Sequence, residues 1–180
     1  RLVTDQVYEK EHNGVLMISI LSHVVEFRNS ESGQHVLHIR TLTDLLLHQL
    51  VQKTDRYQLD ESDISLISTA SALHDIGKIM IPEEILNKPG RLTEEEYATI
   101  KTHTTEGARI LKGLAIGQDE PLVKVAHAIC RWHHERWDGG GYPDRLKGDE
   151  IPIAAQVVAL ADVYDALTSE RCYKQSYSHE

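Results

Sequence analysis

The chain has 180 residues, with 19 Lys and Arg against 28 Asp and Glu, for a formal charge of −9. That length suits one domain with a real hydrophobic core, and the acidic balance excludes a generic nucleic-acid polymer or anionic-membrane surface, each of which needs a basic face. Two cysteines, Cys130 and Cys172, are too few for a disulfide framework and share no metal-ligand spacing, which fits a reducing, cytoplasmic setting. No apolar run approaches the ~20 residues of a membrane span, and no signal peptide is visible. The outlying count is 11 histidines.

Apolar residues recur at helical spacing almost throughout and strand-like alternation is nearly absent, so the expected fold is all-α. Residues 11–28 place Leu16, Ile20, Val24 and Phe27 on one stripe of a first helix. Asn29-Ser30 offers an N-cap for a second, with Val36, Ile39, Thr43, Leu46 and Leu50 on one face. After a polar turn over residues 53–60, a third helix carries Ile64, Ile67, Ser71 and His74. Pro82 and Lys88-Pro89-Gly90 mark a loop. Thr93 followed by Glu94, Glu95 and Glu96 predicts a capping box opening a fourth helix that runs to about Leu111. A fifth spans roughly 120–134, a Gly/Pro-rich loop covers 135–152, and a sixth helix spans about 153–169.

The chain starts at Arg1 without a methionine and stops at His179-Glu180, where a further helix could begin, so it is read as a piece of a longer protein. Residues 1–28 are expected to be an N-terminal helix or linker from an upstream module, and residues 29–180 the main domain, with C-terminal helices beyond it. The first helix could also pair with a second copy of the chain.

His74-Asp75, in HDIGK (74–78), is the sharpest local signal: imidazole and carboxylate together can ligate a metal pair, the carboxylate bridging. Lys78, about one turn on, could offer a cation to an anionic substrate. Alone, such a pair means little. It gains weight from His35, 39 residues before His74, from His103, 29 after it, from His133, 30 after that, and from Asp162, 28 after His134. Each falls on or at the end of a different predicted helix, as in a bundle that points one ligand inward per helix. HHERWDGGGYP (133–143) adds a second adjacent pair, followed by a turn that glycine and proline explain.

HDIGK, His103-Thr-Thr-Glu-Gly107, HHERWDGGGYP and GDEIPIAAQVVALADVYDAL (148–167) together resemble the HD-GYP domains of the HD phosphohydrolase superfamily, over about residues 28–180. The resemblance implies an HD-domain helical bundle and a bacterial phosphodiesterase that hydrolyses cyclic di-GMP to pGpG, with the further step to GMP left open. It implies two or three divalent metal ions, Fe or Mn. By motif position, it assigns His74, Asp75, His103, His133, His134 and Asp162 as metal ligands, with Asp75 bridging. Glu31 and His35 match a Glu-to-His pair that accompanies a third metal. It places Lys78, Arg171 and Lys174 at the substrate phosphates and an upstream receiver or sensory domain before the fragment. Asp165 is expected to support a histidine ligand, and Tyr142 to face the substrate or pack against its loop.

Five histidines with two or three carboxylates form an N/O donor set that suits six-coordinate iron or manganese and does not demand zinc. Two such ions ~3.5–4 Å apart lower the pKa of a shared water and bind phosphate oxygens. The sequence departs from the family pattern at Cys172, where proline is common, and at Met80, where a small residue is common. Neither change removes a ligand. The intact set favours an enzyme over a catalytically weak cyclic-dinucleotide sensor. Another cyclic dinucleotide, such as cyclic GMP-AMP, or another nucleotide stands as the alternative substrate.

Overall fold

The computed structural model describes residues 2–28, 34–114, 117 and 119–169, with side chains from residue 13 onward. These residues form helices α1 (Leu2–Phe27), α2 (His35–Lys53), α3 (Glu61–Ser71), α4 (Glu83–Leu86), α5 (Glu94–Lys101), α6 (His103–Lys112), α7 (Pro121–Trp132) and α8 (Ile153–Thr168). Two 3₁₀ turns, Ile76–Met80 and Gly148–Glu150, fall between them, and there is no strand among the described residues. No described helix is long and apolar enough to cross a membrane.

The core is where α2, α3, α7 and α8 meet. Ile39 and Leu47 from α2, Ile64 and Ala70 from α3, Ala126 and Ile129 from α7, and Val158 and Ala161 from α8 are fully or almost fully buried in one cluster. Burying each large aliphatic side chain contributes about 1.5–3 kcal/mol. Helix α7 also packs on α6, and α6 receives the Ile76–Met80 turn. That last contact depends on Gly77: a Cβ there would overlap the His103 carbonyl oxygen and the Gly107 backbone nitrogen. The glycine of HDIGK therefore lets two backbones approach and carries His74-Asp75 against His103.

Helix starts follow their caps. Asp60 and Asp63 form a capping box on α3, and the box expected at Thr93 is present, with Thr93 Oγ1 accepting from the Glu96 amide at 3.2 Å. Glu96 accepts in return from the Thr93 amide at 2.7 Å. Pro121 opens α7, where its missing N–H costs nothing.

Three expectations change, and one face left open by the sequence is settled. The helix expected over 93–111 is two, α5 and α6, divided at Thr102. The hydroxyls of Thr102, Thr104 and Thr105 donate to carbonyls three residues back, at 2.7, 3.0 and 2.9 Å, competing with the backbone ladder at the break. Helix α3 stops at Ser71, so His74 sits in the turn beyond it. Helix α2 begins at His35, with Gln34 at its N-cap; the cap expected at Asn29-Ser30 lies outside the described residues. Finally, the stripe Leu16, Ile20, Val24, Phe27 faces outward, between 49% and 80% exposed, while Ser22, Val25 and Glu26 are buried. The second half of α1 is apolar nearly all round, so spacing alone could not choose its inner face.

Candidate metal centre

His74, His103 and His133 are each about 1% exposed and converge on Asp75. Each is held in the same way. His74 Nδ1 donates to the Ser71 carbonyl at 2.9 Å and His103 Nδ1 to that of Ile100 at 2.7 Å. His133 Nδ1 donates to the carbonyls of Ile129 and Cys130 at 3.0 and 3.1 Å. A carbonyl can only accept, so Nδ1 carries a proton in each and Nε2 turns inward; wherever the ring is neutral, that Nε2 has a free lone pair. His103 Nε2 and His133 Nε2 face one another at 3.4 Å, and Asp75 Oδ1 lies 3.4 Å from the first and 3.9 Å from the second. These are acceptors turned toward acceptors, an arrangement that calls for a cation.

Electrostatics point the same way. Burial pushes the pKa of His103 down, and that of His133 well down, helped by the neighbouring imidazoles; burial takes His134 down to about 4. Three imidazoles are thus held neutral, the form a metal requires. Burial opposes ionisation of Asp75, but the Lys78 ammonium, 2.7 Å from Oδ2, and His74 hold its carboxyl well below the usual range. Burial likewise pulls His74 down, yet the charge of Asp75 prevails and lifts it to about 9, so a metal at His74 displaces a proton. Asp75 Oδ1 is buried with no hydrogen-bond partner among the described residues, and His74 Nε2 lies 3.2 Å from Asp75 Oδ2. The donor set fits divalent ions: His103, His133 and His134 form one group able to hold a metal, and His35, His74 and Asp75 a second.

His35 closes the other side. Its Nδ1 donates to Asp165 Oδ2 at 2.7 Å, which turns Nε2 toward Asp162 Oδ1 at 3.7 Å. Asp165 also accepts from His38 Nδ1 at 2.8 Å and from Ser169 Oγ at 2.9 Å. Burial alone would raise the pKa of Asp165, but these donors, His35 first, bring it to about 2. Glu31, Arg171, Lys174 and Cys172 lie outside the described residues. Met80 is half exposed at the end of its turn.

The Gly/Pro loop lies directly on the histidine cluster. Tyr142 stacks on His134, ring centroids 4.9 Å apart, and its amide donates to the His134 carbonyl at 3.2 Å. Burial raises the pKa of its hydroxyl, which stays protonated. The Tyr142-Pro143 peptide is cis, and Gly139 has φ +79°. Gly141 passes so close to the backbone of residues 134–136 that any Cβ would collide. Sequence reasoning missed what holds this loop: Glu135. Its carboxylate, nearly buried, accepts from the amides of Asp144, Arg145 and Leu146 at 2.7, 3.0 and 3.0 Å. Asp144 is gripped in turn by Arg131 at 2.7 and 2.8 Å and by the Trp132 indole at 2.8 Å. An acidic residue directly after the histidine pair was the available signal.

Fold and site together define a helical domain built around a buried imidazole–carboxylate centre for divalent cations. A profile of the HD domain family matches residues 17–180, and the chain belongs to that family. Its relatives include the 3'3'-cGAMP-specific phosphodiesterase 2 of Vibrio cholerae, 42% identical over 89% of this chain and 28% of that protein. A probable cyclic di-GMP phosphodiesterase of the same organism is 42% identical over 91% of the chain and 38% of its own length. The cyclic di-GMP phosphodiesterase response regulator RpfG of Xanthomonas campestris pv. campestris is 37% identical over 97% and 42%. The chain thus spans less than half the length of these relatives.

Proposed function

We propose that this domain is a metal-dependent phosphodiesterase that opens cyclic di-GMP to pGpG and carries it on to GMP. The observation that carries this reading is the inward convergence of neutral imidazoles on the ionised Asp75, a centre with donors for more than one cation. Relatives named for cyclic di-GMP or 3'3'-cGAMP hydrolysis supply the substrate class. His35, His74, Asp75, His103, His133, His134 and Asp162 would hold two divalent ions, with a third where Glu31 contributes; the N/O set suits Fe or Mn. Bound there, the ions supply Lewis-acid charge to phosphate oxygens and a more acidic water.

The chain's own groups do the rest. Lys78, fixed by Asp75, holds a cation at the rim for a phosphate oxygen. Tyr142 keeps its hydroxyl protonated beside His134, ready to donate to a phosphate, while the loop clamped by Glu135 shields the centre from bulk water. Arg171 and Lys174 would grip the distal phosphate. The whole protein is proposed to work in the cytoplasm under an upstream receiver or sensory module. The stripe Leu16, Ile20, Val24, Phe27 on the exposed face of α1 suits pairing with a second copy.

The test is turnover. The chain, purified anaerobically and loaded with Fe(II) or Mn(II), should convert cyclic di-GMP to linear product, followed by chromatography. Tight binding without product would instead favour a sensor, and faster opening of 3'3'-cGAMP would reassign the substrate.

A further inference from the structure

Helix α1 was expected to be a packing helix or linker, yet one of its side chains reaches the centre. Glu26 is 4% exposed, and Arg28 anchors the end of its helix by donating to the Ile79 carbonyl at 2.6 Å. Asn87 donates to the Arg28 carbonyl at 2.7 Å, tying the same helix end to the far side of α4. Glu26 lines a small cavity with Ser22, His74, Asp75 and Lys78. The Ser22 hydroxyl, also 4% exposed, has no hydrogen-bond partner among the described residues. Within this setting Glu26 Oε1 lies 4.0 Å from His35 Nε2, whose other flank meets Asp162 Oδ1 at 3.7 Å.

Those two separations are too long for hydrogen bonds. They match donors that share an ion: with metal–ligand bonds of about 2.0–2.2 Å, two donors of one cation lie roughly 2.9–4.3 Å apart. His35 Nδ1 is committed to Asp165, so Nε2 is the nitrogen that faces both carboxylates.

We propose that Glu26 is a carboxylate donor to the cation held by His35 and Asp162, which makes α1 a working part of the metal centre. This rests on the metal-centre reading, but not on turnover. The outer stripe of the same helix is solvent-exposed, so any partner that shifts α1 would withdraw a donor from the cation and lower its occupancy.

The experiment is a Mn(II) titration of the metal-free full chain, with free Mn(II) read by its EPR signal. Glu26→Gln should weaken the weakest class of sites at least about tenfold and leave the tighter class unchanged. Should the Gln variant fail to fold by circular dichroism, Glu26→Asp, which retracts the carboxylate by one methylene, is read in the same way. In a His35→Ala background, Glu26→Gln should cause no further loss, because the shared ion is already gone. Unchanged stoichiometry and affinity in the folded Glu26 variant, or an additive loss in the double variant, would overturn the proposal. Failure of hydrolysis with these titrations as expected would sink the phosphodiesterase reading and leave this one standing.

Discussion

The two sides of the centre are built by different means. On the inner side, His74, His103 and His133 are oriented by carbonyls only three or four residues back along the chain. On the outer side, His35 is oriented by Asp165, 130 residues away in sequence, and its free nitrogen meets Asp162 from α8 and Glu26 from α1. The inner half is set by local backbone and by one close backbone approach at Gly77. The outer half exists only when α1, α2 and α8 are docked. An inner ligand is therefore preorganised, whereas the outer site is open to adjustment.

The largest expected effect tests the junction of the two sides. Asp75→Ala should abolish metal binding altogether, measured by elemental analysis, while Lys78→Ala should keep the metals; full metal content in Asp75→Ala would break the assignment of Asp75 to both groups. Next is the inner scaffold. Gly77→Ala forces the 3₁₀ turn off α6 and should cost about 3 kcal/mol or more in urea unfolding, at the upper end of overpacking effects.

The outer side should respond more gently. Asp165→Asn leaves a hydrogen bond to His35 but takes away the charge that orients it, and should weaken one class of metal sites about 10–100-fold while sparing the rest. A uniform loss across all sites would erase the distinction between the halves. The smallest effect belongs to the loop: Glu135→Gln should lower stability by about 1–3 kcal/mol and speed amide exchange at Asp144, Arg145 and Leu146, with metal content intact.

This same division decides what could be read from sequence. The inner ligands fall in short phrases whose spacing survives in one dimension, and α7 and α8 lie within two residues of the expected 120–134 and 153–169. The break at Thr102 was hidden because three threonines look helical until their hydroxyls take the carbonyls. The inward face of α1 was left open for a different reason: Val15 to Phe27 is apolar on nearly every side, and docking against α2 and the Ile76–Met80 turn selects Ser22, Val25 and Glu26. Glu26 went unnoticed because nothing local marks it. Its partner, His35, lies on the next described helix, and their meeting is purely tertiary.

The most direct test of a divalent-cation centre is anomalous diffraction from crystals of the chain loaded with Mn(II) or Fe(II). Peaks should appear among His103, His133 and His134 and among His35, His74 and Asp75, with Asp75 reaching both. At saturating metal, peaks elsewhere, or none within reach of the inward-facing Nε2 atoms, would contradict the account.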